Sequence, residues 1–235
     1  MAQARSQPES RQLFRIGGRE VPVLLRRSAR RSVGLQIRPD GLTVTLPNRF
    51  PLHQLDGVLR DKASWIIDKL DQVAQLPRAA QLVDGAEVPW LGEPRLLRIG
   101  HTRGAVTGDE LRLAAQDEAG IPIALTKLMR REARSFLAER LAAWAARMQL
   151  HYSEFKLSSA GTRWGSCSSA GVIRLNWRLM QAPLPVIDYV IIHELCHLVE
   201  LNHSARFWAL VAAVCPDWKV KRDWLKQHGG RYFAW

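Results

Sequence analysis

His193-Glu194-Leu195-Cys196-His197, with His203 further on, is the stretch that decides how this 235-residue chain is read. Imidazoles four residues apart on a helix lie one above the other on the same face, close enough to grip a single cation. The carboxylate beside the first imidazole then reaches a water on that cation, which is a hydrolytic site in outline. Catalytic zinc takes three protein ligands and keeps one position open, so the helical pair needs a further partner. His203 is the nearest candidate, yet its distance along the chain from His197 amounts to about 600° of helical rotation. It can join the pair only if the helix stops and the chain turns back. The sequence permits that stop: Asn202 tolerates the left-handed conformation that ends helices, and Ser204 is a good N-cap for a new helix at Ala205. Glu200 competes from much the same face as His197, but one straight helix does not easily surround a tetrahedral ion. That leaves Glu200 exposed, or supporting a ligand from behind.

Two ordinary histidines on an amphipathic helix would be the simpler reading. The run Pro185-Val186-Ile187-Asp188-Tyr189-Val190-Ile191-Ile192 argues against it, because so apolar a segment is buried and unpartnered imidazoles there are costly. Hydrophobic residues make up 47% of the chain, enough to fill a core. No segment approaches the ~18 consecutive apolar residues of a membrane span, so no membrane partner is expected. Residues 1–11 are polar and offer no signal-peptide core, and Cys167, Cys196 and Cys215 show no disulfide-framework spacing. Both features fit a reducing cytoplasm. The net charge of +12 and pI near 10.4 imply attraction to polyanions: nucleic acid, nucleotides or an acidic protein surface. Arginines concentrate at Arg26, Arg27, Arg30, Arg31 and Arg38, but no recognised nucleic-acid module accompanies them. Weak nucleic-acid contact through a basic surface is the most that charge alone supports.

Alternating apolar residues place short strands at 21–25, 33–38 and 42–46, with Pro39-Asp40-Gly41 as a turn, in a small antiparallel meander. Apolar residues at helical spacing after Pro51 predict one helix running to about Gln75, ended by Pro77. Segments 87–92 and 95–99 read as a second hairpin, and residues 100–120 as a variable insertion with strand character only near 110–114. A long helix is predicted over 121–148, a strand over 155–158 and a hairpin over 162–179 turning at Ser169-Ala170-Gly171. Pro183 and Pro185 open the metal-site helix; two further helices follow, one ended by Pro216 and one from Trp218 to Gln227. The whole is an α+β protein. Residues 1–10 are expected to be disordered, 11–119 to form an antiparallel β-rich subdomain with one helix, and 120–235 to form the α+β domain that carries the HExxH helix.

Arg163-Trp164-Gly165-Ser166-Cys167-Ser168, Leu175-Asn176-Trp177-Arg178-Leu179, Asp188 through Leu198, and Asn202-His203-Ser204-Ala205-Arg206-Phe207-Trp208 together resemble the YgjP-like metallopeptidase domain. That family is related to the WLM and SprT-like zincins. The likeness extends to the strands around 26–46 and to the helix carrying Trp65. It implies a zincin-like catalytic core, zinc on His193, His197 and His203, and Glu194 as catalytic base.

In such a site zinc lowers the pKa of its water towards about 7, Glu194 takes the proton, and the hydroxide attacks a carbonyl or phosphorus polarised by the metal. Arg163, Asn176 and Tyr189 are the candidates for substrate binding or oxyanion stabilisation, each weighed against a plain packing role. The strand within 171–179 is the expected edge on which an extended peptide would lie. The leading expectation is a zinc-dependent peptidase with a peptide or protein substrate. Its rivals are a metal-dependent phosphohydrolase of the nucleotide pyrophosphatase type and a nucleic-acid-associated module with a structural zinc. Three imidazoles also accept nickel, cobalt or iron. Cys167 as a nucleophile would need an activating base that the sequence does not place.

Overall fold

The computed structural model describes residues 10–38, 41–75 and 82–233. Of the disorder expected over residues 1–10, all but Ser10 lies outside them, and Ser10 stands in a strand; the turn at Pro39-Asp40 and the helix stop at Pro77 also lie outside them. The chain divides into two compact units between Arg78 and Ala79.

In the first unit, β1 (Ser10–Ile16), β2 (Arg19–Ser28), β3 (Gly34–Arg38) and β4 (Gly41–Pro47) form one sheet in the order β1-β2-β4-β3. This corrects the meander: β2 and β4 run parallel, with Val23 opposite Leu42, and β3 takes the far edge. Burial accounts for the order. β4 alternates Leu42, Val44 and Leu46 with threonines, and the interior position buries all three. β1 is hard to read in advance because Leu13 is 69% exposed and only Phe14 and Ile16 pack inward. The single helix expected after Pro51 is two, α1 (Leu55–Asp61) and α2 (Ala63–Gln75), parted at Lys62, whose backbone leaves the helical region (φ −104°, ψ 8°). Leu55, Leu59 and Ile66 bury the helices' inner faces against Val23, Val44 and Leu46 of the sheet.

The second unit opens with a four-stranded sheet, order β5-β6-β8-β7, built from β5 (Glu87–Trp90), β6 (Glu93–Arg98), β7 (Ala105–Thr107) and β8 (Glu110–Arg112). The expected hairpin is β5–β6. Residues 100–120, however, are no peripheral insertion: β8 pairs parallel to β6, and Leu111 and Leu113 share one core with Ile121 and Leu125 of α3 (Ile121–Arg147). The boundary expected before Ile121 therefore falls inside continuous packing. Along α3, Leu125, Leu128, Met129, Ala133, Leu137 and Leu141 form the buried stripe that their helical spacing dictates.

A second sheet has the order β10-β11-β9, from β9 (Glu154–Ser158), β10 (Gly165–Cys167) and β11 (Val172–Asn176). Gly171 turns the β10–β11 hairpin at φ +74°, a conformation that glycine adopts without strain. β11 is central, antiparallel to β10 and parallel to β9, because Ile173 and Leu175 are fully buried and need neighbours on both sides. The two edges accordingly belong to β10 and β9, not to the strand within 171–179, and it is β10 that lies against Glu194.

α4 (Leu184–Cys196), α5 (Ala205–Val214) and α6 (Trp218–His228) complete the unit. α4 buries residues around most of its circumference, from Val186 to Cys196, as a helix enclosed by protein does. Arg140 of α3 holds it in place: Nε and Nη2 donate to the two oxygens of Asp188 at 2.6 Å each, and Trp144 Nε1 donates to Oδ1 at 2.9 Å. Among the described residues no helix is long and apolar enough to cross a membrane.

Candidate metal centre

The end of α4 makes the site. His197 caps the helix at φ −68° and ψ −15°, and the amides of Val199 and Glu200 both return to the Cys196 carbonyl at 3.0 Å. Ser204 then N-caps α5, its Oγ accepting from the Phe207 amide at 3.3 Å, as its place before Ala205 predicts. Asn202 takes no left-handed conformation; among described non-glycine residues only Leu91 and Gln149 do. The reversal is made earlier, in the turn just after the last helical residue.

That reversal carries His203 back to the helix. The ligand atoms of His193, His197 and His203 lie within 4.8 Å of one another and could hold a metal ion. Nε2 of His203 and Nε2 of His193 are 3.0 Å apart, close to the about 3.3 Å expected of two nitrogens on a tetrahedral zinc. His197 Nδ1 donates to the Glu200 carbonyl at 3.0 Å, which fixes the ring and leaves Nε2 as its lone-pair donor. Glu200 thus acts through its main chain, on the imidazole of His197. His193 is held differently. Its Nδ1 is buried with no hydrogen-bond partner, and packing orients the ring, with the Phe207, Trp208 and Tyr189 centroids at 4.9, 5.8 and 5.9 Å. Burial, with the neighbouring charges of His197 and His203 acting in the same sense, pushes this imidazole down to about 3. It is therefore neutral, the form that ligates metals.

Glu194 is 5% exposed and lies against β10. A methyl group on Gly165 would sit 2.5 Å from Glu194 Oε1, so only glycine lets the strand pass this close. Burial pushes the carboxyl up to about 8, with the charge of Arg163 acting in the opposite sense. Glu194 and His193 form one wall of a cleft of about 360 Å³ together with Tyr189 and Val190; Trp164 and Gly165 form another, and Arg222, Leu225 and Lys226 of α6 a third.

Of the residues expected to meet substrate, Tyr189 lines this cleft, and burial pushes its phenol up to about 12. Arg163 is exposed and acts on Glu194 through its charge. Asn176 does not line the cleft. It is fully buried, its Nδ2 donating to the carbonyls of Ala160 (2.7 Å) and Arg163 (3.0 Å) and its Oδ1 accepting from the Arg178 amide (3.1 Å). It shapes the loop that leads into β10. Gly165, Arg222 and Lys226 escape a reading of the sequence; the four-residue spacing of the two cations is visible there, but not that their shared face looks onto Glu194.

Three convergent imidazoles, a buried carboxyl and an adjoining cleft in an α+β unit fit a metal-dependent hydrolase. The family model of the YgjP-like metallopeptidase domain matches residues 31–228, and the chain belongs to that family. Membership supports metal-dependent hydrolysis in coarse outline. No curated protein and no solved structure matches the chain.

Proposed function

We propose that the protein is a zinc-dependent metallopeptidase in which His193, His197 and His203 hold the ion and Glu194 is the general base. The observation that carries this reading is the convergence of three imidazoles within 4.8 Å beside a carboxyl pressed against Gly165. A neutral three-nitrogen donor set is what zinc takes in catalytic sites. When bound, zinc supplies Lewis acidity, polarising the scissile carbonyl and acidifying the attacking water.

The chain's own groups do the rest. Glu194 accepts the proton of the attacking water and passes it to the leaving amine; burial raises its proton affinity, and a cation on the three imidazoles would draw it back down and keep the carboxylate able to accept. The free edge of β10 offers main-chain donors and acceptors to an extended peptide, which then runs alongside Glu194. Tyr189, protonated at any physiological pH, donates its O–H towards the developing oxyanion.

Elemental analysis of purified protein, paired with a peptide-library screen and Glu194→Gln as control, tests the proposal. A single zinc per chain and cleavage that disappears in the variant are expected. Cleavage that survives in Glu194→Gln or in chelator refutes it, and nucleotide hydrolysis without peptide cleavage would replace it with a phosphohydrolase.

A further inference from the structure

Arg222 and Lys226 stand one turn apart on α6 and line the same cleft as Glu194, the only carboxylate lining it among the described residues. The position of Arg222 is built by an aromatic stack. Its guanidinium lies 4.9 Å from the ring centroid of Trp218 and 5.9 Å from that of Trp208. The two indoles stack at 4.1 Å with 16° between their planes, and Trp208 stacks in turn on His203 at 5.7 Å and 29°. A continuous line of rings therefore runs from the ligand cluster to the guanidinium and fixes how far apart they stand. The charge of Arg222 is felt across the cleft, where it opposes the effect of burial on Tyr189. Its ion pair with the adjacent Asp223 is long, 3.6 Å through Nε, and a guanidinium carries four more N–H donors.

We propose that Arg222 and Lys226 form a carboxylate subsite that selects substrates bearing negative charge beside the scissile bond, either an acidic side chain or the free carboxyl end of a peptide. This rests on the metallopeptidase reading above. Arginine presents a planar fork matched to a carboxylate and lysine a mobile point charge, and the neighbouring Trp164 and Leu225 give the pair an apolar flank. A cleft of about 360 Å³ lies at the small end of ligand sites and suits one side chain or a chain end.

The test uses zinc-loaded full-length protein and matched peptide pairs: glutamate against glutamine beside the scissile bond, and a free carboxyl terminus against its carboxamide. The charged member of at least one pair is expected to have a kcat/KM about 10–100-fold higher, expressed mainly in KM. Which pair responds identifies the source of the carboxylate. In Arg222→Gln/Lys226→Gln the ratio falls towards unity, and in Arg222→Glu it inverts in favour of lysine-bearing peptides. Equal turnover of both members by the wild type, or a ratio that survives the double substitution, overturns the subsite. Calorimetry of the same pairs on zinc-loaded Glu194→Gln reads binding without turnover. Charge-selective, Arg222-dependent binding with no cleavage by the wild type keeps the subsite and sinks the peptidase; cleavage without charge preference does the reverse.

Discussion

In the first unit, whose core is Val23, Val44, Leu55, Ile66 and other apolar side chains, Thr43 is the buried polar residue among the described residues; in the second, Asn176, Gln181, Glu194 and His197 are all buried. A polar group removed from water costs free energy unless it is hydrogen-bonded, and an ionisable one also shifts its pKa. Asn176 meets that cost with three hydrogen bonds. The Nδ1 of His193 has no such partner, nor has the Nε2 of Gln181; the carboxyl of Glu194, pushed up by burial, stands beside His193 at the imidazole cluster. The core of the first unit is thus apolar, whereas the second carries buried ionisable groups at one site, with Arg140 and Asp188 tying α4 to α3. A buried carboxyl and a buried imidazole whose proton affinities are both strongly shifted, side by side in a cleft, point to function more sharply than net charge does.

The comparison breaks most visibly at Glu194. Glu194→Gln keeps the shape of the site and removes the base, so kcat for peptide cleavage is expected to fall about 10²–10⁴-fold with zinc content unchanged. Loss of zinc together with activity would instead make Glu194 part of the ligand set. In the other unit, Ile66 is fully buried, and Ile66→Ala is expected to cost about 2–5 kcal/mol in denaturant unfolding while zinc affinity stays as it was. A change in zinc affinity would deny the separation of roles.

Metal removal sharpens the contrast through pH. Burial holds Glu194 at about 8 in the folded chain against an ordinary 4.5, so the unfolded chain loses its proton first and stability falls as pH rises from 4.5 to 8. His193 works the other way: held at about 3 against 6.5, it lets the unfolded chain gain a proton first, so stability falls as pH drops from 6.5 towards 3. Chelated protein is therefore expected to lose melting temperature at both ends of a scan between about pH 4 and pH 9. Glu194→Gln should flatten the alkaline limb and let the acid limb begin near pH 6.5 instead of 4.5, because the opposing slope of Glu194 between those values is gone, and parallel curves for wild type and variant would show that Glu194 is not desolvated.

How much of this was legible beforehand follows from the range of each interaction. The His193–His197 spacing, the stop after it and the Ser204 cap depend on residues a few positions apart, and the expectation holds there down to the first residue of α5. The parallel pairing of β2 with β4, the membership of β7 and β8 in a core sheet and the edge position of β10 depend on which distant segments meet, and local alternation carries no record of that. Asn202 shows the same limit on a small scale: its tolerance of the left-handed region is real chemistry, but a turn already completed at Glu200 leaves it unused.

The smallest expected effects come from two glycines that a reader of the sequence would treat alike. Gly57, exposed inside α1, would place a new methyl group in open space, so Gly57→Ala is expected to stabilise by about 0.4–1 kcal/mol through helix preference and a less flexible unfolded chain. Gly165 would place one 2.5 Å from Glu194 Oε1 and 2.7 Å from its Cγ, so Gly165→Ala must push β10 off α4 or turn the carboxyl aside, at about 1–3 kcal/mol. Thermal unfolding of the pair gives opposite signs if the close approach of strand and carboxyl is real. Activity separates them further, because displacing Glu194 lowers kcat whereas a methyl group on α1 touches nothing that reacts. A Gly165→Ala protein with wild-type melting temperature and turnover would mean that β10 does not lie against the base, and the edge strand would lose its claim to align a substrate.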